Sequence, residues 1–393
     1  MPWKESLVIE ERIKFIAAFK REEWIFADLC KEFGISRKTG YKYLERYEKE
    51  GIDGLKEKSR APKVQPLETP KHIVDLIIRM REEHPSWGPR KLLWRLKVKY
   101  HRVKSWPSVT TIGNILKRKG LVRQQPRRKK TPQSLFPFSD AITPNDVWCA
   151  DFKGHFTVGD GMRCDPLTIT DANSRLLLDC QILKKTNTES VKQAFERVFK
   201  EYGLPLAIKT DNGSPFASKA IGGLSKLSVW WLKLGIRPER IEPGKPQQNG
   251  RHERMHRTLK QETALPPRAS LEEQQQSFDR FKKEYNEIRP HEALGYQTPA
   301  SVYIQSSRLF PSKLQEVAYP THVVAEKVYE SGFSQYGPHR VFFGAPLIGE
   351  IVGFEEISDR LCRIYFTNAV LGILDLYTGK VLKYEKLTYN LSY

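Results

Sequence analysis

From Ile9 the apolar residues Ile13, Ile16, Ala17 and Phe19 fall near helical spacing and predict a first helix. Trp24–Phe33, with Leu29 and Phe33 on one face, predicts a second. Gly34-Ile35-Ser36 then makes a tight turn, and Ser36 is placed to cap a third helix through Tyr41, Leu44 and Tyr47. Helix, glycine-containing turn and helix carrying Arg37, Lys38 and Lys42 is the pattern of a helix-turn-helix, although any three-helix bundle shares that spacing. Those three cations are its candidate DNA contacts. Residues 51–70 contain Pro62, Pro66 and Pro70 and read as a linker. A second helical unit follows in His72–Glu83, Pro89–Tyr100 and Val109–Lys119, with Ser108 placed as the cap of its last helix. Two such modules in tandem would suit a long, asymmetric DNA site.

The period changes after Pro144. Val147–Val158, Leu167–Asp171 and Arg175–Leu183 are short β-type runs between turn residues and predict a three-strand meander. Thr188–Tyr202 reads as a helix, Leu206–Thr210 as a buried strand and Lys219–Leu234 as another helix. Antiparallel strands followed by helix–strand alternation point to a mixed α/β sheet with helices on its faces. Beyond about residue 318 the runs Thr321–Val328, Arg340–Phe343, Ile348–Phe354, Leu361–Phe366 and Gly372–Asp375 predict a small antiparallel, barrel-like domain. The expected divisions are a helix-turn-helix domain over 1–60, a second such unit over 61–122, a linker over 123–140, an α/β core over 141–305 and a β-rich domain over 318–393.

Charge sharpens this division. The chain of 393 residues carries a formal net charge of +20. Residues 1–132 hold 33 Lys+Arg against 16 Asp+Glu, whereas 133–393 hold 33 against 30. Between His84 and Ser139 there are 15 Lys and Arg and no acidic residue, where an ordinary solvated surface would mix signs. A one-signed stretch of this kind points to a polyanion, bound through salt-dependent contacts with phosphate. Arg127, Arg128, Lys129 and Lys130 in the linker are further candidate DNA contacts. They lack the apolar face that a membrane-surface helix would need. No apolar run approaches membrane-spanning length, and the N-terminus lacks a signal-peptide stretch, so the expected location is the cytoplasm. Five scattered cysteines without a C-x-x-C pair suit a reducing compartment and argue against a zinc module or a disulfide scaffold.

Three carboxylates stand in settings that suit phosphoryl chemistry. Asp151 lies within Trp148-Cys-Ala-Asp151-Phe-Lys-Gly154, and Asp211 ends the buried strand in Thr210-Asp211-Asn212-Gly213. Glu253 follows a Gly- and Gln-rich coil, with Arg257 at i+4 and Lys260 at i+7 on the same helical face. Hard Mg²⁺ or Mn²⁺ ions take oxygen ligands, and a pair of them can stabilise both oxygens of an in-line displacement. Taken singly each signal is weak. Asp-Asn-Gly is common turn chemistry, Glu253 with Arg257 could be a solvated pair, and Asp171 and Asp179 also lie on strands. Carboxylates alone do not select the set.

A resemblance selects it. Trp148-x-x-Asp151, Thr210-Asp211-Asn212-Gly213-x-x-Phe216 and Pro246-Gln-x-Asn249-Gly250-x-x-Glu253 resemble the DDE integrase core of retroviral integrases and bacterial insertion-sequence transposases. Tyr285-Asn286-x-x-Arg289-Pro290-His291-x-Ala293-Leu294-Gly295-Tyr296-x-Thr298-Pro299 is similar to the signature that closes that core. Tyr43-Leu-Glu-Arg-Tyr-x-x-Glu50-Gly51, with Gly54-Leu55-x-x-x-Ser59-Arg60-x-Pro62 after it, looks like the first helical unit of such transposases. The resemblance implies an RNase H-like core, a mixed five-stranded sheet with helices, in which Asp151, Asp211 and Glu253 are both catalytic residues and metal ligands, for two Mg²⁺ or Mn²⁺ ions. It further implies a bacterial protein working at the nucleoid as a homo-oligomer. It would bind the terminal inverted repeats of its element, cleave at the ends and transfer the 3′-hydroxyl strand into double-stranded target DNA. Arg257, Lys260 and His256 would then position DNA. A DNA-binding regulator with a transposase-like core, or an RNase H-like nuclease, are the alternative readings. The 41 residues between Asp211 and Glu253 exceed the family's usual spacing, and Glu262 is a second acidic candidate on the same helix.

Overall fold

The computed structural model describes residues 8–58, 68–122, 141–152, 154–218, 220–241, 250–382 and 388–389. The chain divides into two units, Met1–Thr69 and Pro70–Tyr393.

In the first unit α1 (Val8–Lys20), α2 (Phe26–Glu32) and α3 (Arg37–Glu50) enclose Phe15, Ile16, Leu29, Cys30, Tyr43 and Leu44. Ser36 caps α3 as expected, its hydroxyl accepting from the Thr39 N–H at 3.2 Å. The turn before it is left-handed at Gly34, and Gly40 lets α3 press against Cys30 and Phe26, where a Cβ would collide. The chain beyond Glu50 is not linker from its first residue. Gly51–Leu55 forms a 3-10 turn whose Leu55 is fully buried, tied back by the Arg12 guanidinium to the Leu55 carbonyl at 2.7 Å.

The second unit opens with α4 (Lys71–Glu83), α5 (Pro89–Lys99) and α6 (Val109–Arg118), packed around Ile77, Leu92, Leu96 and Ile112. Ser108 caps α6 through the Thr111 N–H. The core that follows is a five-stranded mixed sheet built from β1 (Val147–Phe152), β4 (Pro166–Asp171), β5 (Leu177–Ile182), β6 (Ala207–Thr210) and β7 (Arg237–Arg240). Its order is β5-β4-β1-β6-β7: the β1, β4 and β5 meander is antiparallel, and β1, β6 and β7 run parallel. The run Val147–Val158 breaks after Phe152, and β2 (Phe156–Thr157) pairs outside this sheet with β3 (Arg163–Cys164). On the sheet lie α7 (Thr188–Tyr202) and α8 (Lys226–Lys233), which bury Phe195, Phe199 and Trp231 against Trp148 and Ile208. α9 (Gly250–Thr263) and α10 (Leu271–Glu287) bury Met255, Leu259 and Phe278 with Leu177 and Cys180. A short α11 (Pro299–Val302) follows.

The tail is an antiparallel sheet of β8 (Val324–Lys327), β11 (Ile351–Glu356), β12 (Leu361–Phe366), β13 (Ala369–Asp375) and β14 (Lys380–Leu382), with β15 (Thr388–Tyr389) also on β13. A hairpin of β9 (Phe333–Tyr336) and β10 (His339–Phe342) accompanies it. Its apolar side packs with Leu224, Val229 and Leu232 around α8, and Lys233 pairs with Glu350 at 2.9 Å. This is the α/β core with helical modules before it and a small β domain after it. All five cysteines are buried free thiols, and among the described residues no helix is long and apolar enough to cross a membrane.

Candidate active site

Parallel β1 and β6 pair Val147 with Ala207, Trp148 with Ile208 and Cys149 with Lys209. Carried on by two residues, that register would bring Asp151 level with Asp211, just past the end of β6. Carboxyl ends of parallel strands are where open α/β sheets place their sites. The flanking motif residues hold both positions. Trp148 is fully buried, with its indole N–H donating to Asn145 Oδ1 at 3.0 Å. Phe216 is buried against Phe152 and Trp231, anchoring the loop after Asp211. The Gly213 N–H donates to Asp211 Oδ1 at 3.1 Å, and a Cβ at Gly213 would lie 3.1 Å from Oδ2. Asp-Asn-Gly is thus both a turn and the support of a carboxylate.

The competing acids are accounted for. Asp171 accepts from the backbone N–H groups of Asn145 and Ser174 and from the Ser174 hydroxyl, closing the β4–β5 turn; burial raises its pKa. Asp179 pairs with Arg197 at 3.3 Å, and burial likewise pushes its carboxyl up. Glu262 accepts from Arg289 at 2.7 Å and from the Ser86 hydroxyl, which ties α9 to the second helical module.

Helix α9 lies over β1 and β4 and brings two histidines to the sheet. Asp151, His252 and His256 form the one group of three metal-capable residues among the described residues, with ligand atoms all within 4.8 Å of one another. His252 is buried, and burial lowers its pKa to about 3, so the ring is neutral. Glu253, one residue on, is exposed, as are Arg257 and Lys260. Glu253 is not in that group of three. His256 does not face solvent as a DNA contact would: it is buried, with Nε2 2.6 Å from Thr168 Oγ1. The sequence reading missed this arrangement, although the i, i+4 spacing of His252 and His256 puts both on one face. Of the other candidate DNA contacts, Arg37, Lys38 and Lys42 are exposed on α3, and Arg127, Arg128, Lys129 and Lys130 lie outside the described residues.

The donor set decides which metal suits the site. Asp151 and Asp211 offer hard oxygens, which fit Mg²⁺ or Mn²⁺. Two imidazoles with one carboxylate favour softer ions, but the His252 and His256 Nε2 atoms are already engaged by Thr168 at 2.7 and 2.6 Å. On chemistry, the carboxylate oxygens of Asp151 and Asp211 suit a hard cation.

Comparison with known proteins finds matches along most of the chain. The family model described as Integrase core domain matches residues 142–246, and a second of the same description matches 234–299. A Helix-turn-helix domain matches 11–63 and a Homeodomain-like domain 39–116. The insertion element IS407 uncharacterized 31.7 kDa protein of Burkholderia multivorans is 29% identical over 158 residues, 40% of this chain and 54% of that protein. The chain therefore spans about half the length of that relative. Transposase InsD for insertion element IS2 of Escherichia coli is 24% identical over 248 residues, 58% of this chain and 79% of that protein. Among solved structures, the HTLV-2 integrase catalytic core domain in complex with magnesium aligns with a TM-score of 0.34 at 17% identity, over 42% of this chain and 99% of that one. Residues 142–299 are matched by the two Integrase core domain models, and over part of its length the chain is similar to insertion-element proteins, a transposase among them.

Proposed function

We propose that the protein is a transposase that binds the terminal inverted repeats of its element, cleaves at the ends and transfers the freed 3′-hydroxyl strand into target DNA. The observation that supports this reading is the parallel β1–β6 register, whose last pair, Cys149 with Lys209, stands two residues before Asp151 and Asp211 respectively, with Glu253 on the helix whose histidines reach the same sheet. Asp151, Asp211 and Glu253 would hold the divalent ions. A pair of Mg²⁺ or Mn²⁺ ions so held supplies Lewis-acid polarisation of the phosphodiester and lowers the pKa of the attacking hydroxyl.

This chain's own residues do the rest. The exposed cations Arg257 and Lys260 extend from Glu253 along one helical face and would hold phosphate oxygens by charge-assisted hydrogen bonds. Gly213 keeps the space around Asp211 clear and orients its carboxylate. The helical modules over 1–60 and 61–122 would read the element end, with Arg37, Lys38 and Lys42 against DNA, and Arg127 to Lys130 would grip its backbone. The core over 141–305 would cut and join, with the β domain over 318–393 beside it. Because two ends must be joined, more than one copy of the chain would assemble on DNA, in a bacterial cytoplasm at the nucleoid.

The test is direct. Purified protein with labelled element-end DNA and Mg²⁺ or Mn²⁺ should nick at the end. Asp211→Asn should lower that rate about 10²- to 10³-fold, the scale on which loss of one electrostatic element of a catalytic site is felt. Unchanged nicking by Asp211→Asn would sink the assignment.

A further inference from the structure

Thr168 sits opposite Asp151 in the antiparallel β1–β4 register and is fully buried. Its hydroxyl meets three groups. It donates to the Asp151 backbone carbonyl at 3.1 Å, and it lies 2.7 Å from His252 Nε2 and 2.6 Å from His256 Nε2. A hydroxyl has one proton to give and two lone pairs to offer. A carbonyl can only accept, so the proton goes to Asp151, and both imidazole Nε2–H groups must donate to the Thr168 oxygen. His252 Nδ1 is then an acceptor, and the Thr170 hydroxyl at 3.0 Å is placed to donate to it. Every position on the Thr168 oxygen is filled.

We propose that Thr168 is a positioning residue that pins two successive turns of α9 to strand β1 at the level of Asp151, and so sets where Glu253 stands relative to that carboxylate. Two side chains at i and i+4 meet one atom, which fixes the rotation of the helix about its axis as well as its distance from the sheet. Glu253 directly follows His252, so any rotation that loosened the His252 bond would swing Glu253 as well. The two buried imidazoles have no water to fall back on, and a rotation of the helix that broke either bond would leave an N–H unpaired. The inference rests on the proposed metal-binding role of Asp151, Asp211 and Glu253, and it assigns Thr168, His252 and His256 no contact with DNA or metal.

The full chain, wild type and variants, is titrated with Mn²⁺ alone by calorimetry, and end nicking is followed as a function of Mn²⁺. Thr168→Val keeps the shape and removes the node; it should weaken Mn²⁺ binding about 10- to 100-fold, the range seen when supporting partners of metal ligands are removed. The Mn²⁺ concentration needed for half-maximal nicking should rise in parallel, with a smaller change in the rate at saturation. Thr168→Ser, which keeps the hydroxyl, should restore both. If Thr168→Val does not fold, the pair His256→Gln and His256→Leu decides. Glutamine can present an N–H where Nε2 stands and should bind Mn²⁺ within a few-fold of wild type, whereas leucine should not. Folded Thr168→Val that binds Mn²⁺ like wild type, or equal loss in both His256 variants, would overturn the positioning role. Wild-type protein that neither binds Mn²⁺ nor nicks DNA would instead overturn the reading of the site itself.

Discussion

Glu262 and Glu253 sit on one helix, and their surroundings separate them. Glu262 is spent on Arg289, whose side chain is 8% exposed, and on Ser86; Glu253 is exposed beside Asp151's neighbours. Glu262→Gln should therefore leave end nicking within a few-fold of wild type while lowering stability by about 2 kcal/mol, the scale for weakening a largely buried pair. Glu253→Gln should abolish nicking with little change in unfolding midpoint. His291 supplies a second residue-scale expectation. Burial, reinforced by Lys91 and Arg289, lowers its pKa to about 3, and its Nε2 is buried without a hydrogen-bond partner. The unfolded chain, with an ordinary value of about 6.5, binds the proton more readily, so stability contributed by neutral His291 is complete above about pH 6.5. It is lost as pH falls from about 6.5 toward 3, at up to about 1.4 kcal/mol per pH unit. Denaturant melts across that window should show a shallower decline in His291→Gln than in wild type. At this scale the sequence was legible where a residue's own chemistry marks a local turn, as Asp211-Asn212-Gly213 does. It was silent on His252, and it gave His256 to DNA and left Glu262 as a rival acid, because the partners that bury or pair them, Thr168 for the histidines and Ser86 and Arg289 for Glu262, are distant in sequence.

Among the elements, β5 is an edge strand, and unpaired edges invite pairing with other chains. α10 closes it with amides. Asn286 accepts from the Leu177 N–H and donates to the Leu177 carbonyl, both at 2.9 Å, and Gln275 does the same for Ile182 N–H and Cys180 carbonyl at 2.8 and 2.9 Å. The Tyr285-Asn286 part of the closing signature is thus structural. Asn286→Ala would leave two backbone groups buried without partners, and should cost about 1–3 kcal/mol in urea unfolding and increase aggregation on heating. Helices with strong apolar faces, such as α7, were readable with their ends because Asn187 caps the first turn through the Ser190 N–H. Lys219–Leu234 was not one helix. Gly222 and Gly223 take left-handed conformations, and a Cβ at Gly223 would strike the Arg240 guanidinium, so α8 starts only at Lys226. β7 escaped notice since Arg-Pro-Glu-Arg has no apolar period; its Glu239 is paired with Arg237 and Lys209 instead.

For the whole molecule, charge and attachment divide the work. Of the net +20, seventeen charges lie before residue 133. Binding to element ends should therefore weaken steeply with salt. Replacing Arg37, Lys38 and Lys42 together by Ala should reduce the slope of log K against log salt by about 0.9 for each phosphate that is no longer neutralised. Nicking measured at saturating DNA should change far less. The second helical module is joined to the core by more than its chain. Ile288 packs with that module's apolar cluster, Arg289 lies over Trp87 at 6.0 Å, His84 Nδ1 is 2.8 Å from Glu284, and Arg90 meets Glu292 at 3.2 Å. The placement of that module is thus written in side chains on α9, on α10 and just beyond it, not in the length of the 123–140 connection. Extra residues in the 123–140 stretch should leave the second helical module seated against α9 and α10, whereas Arg289→Ala should loosen it.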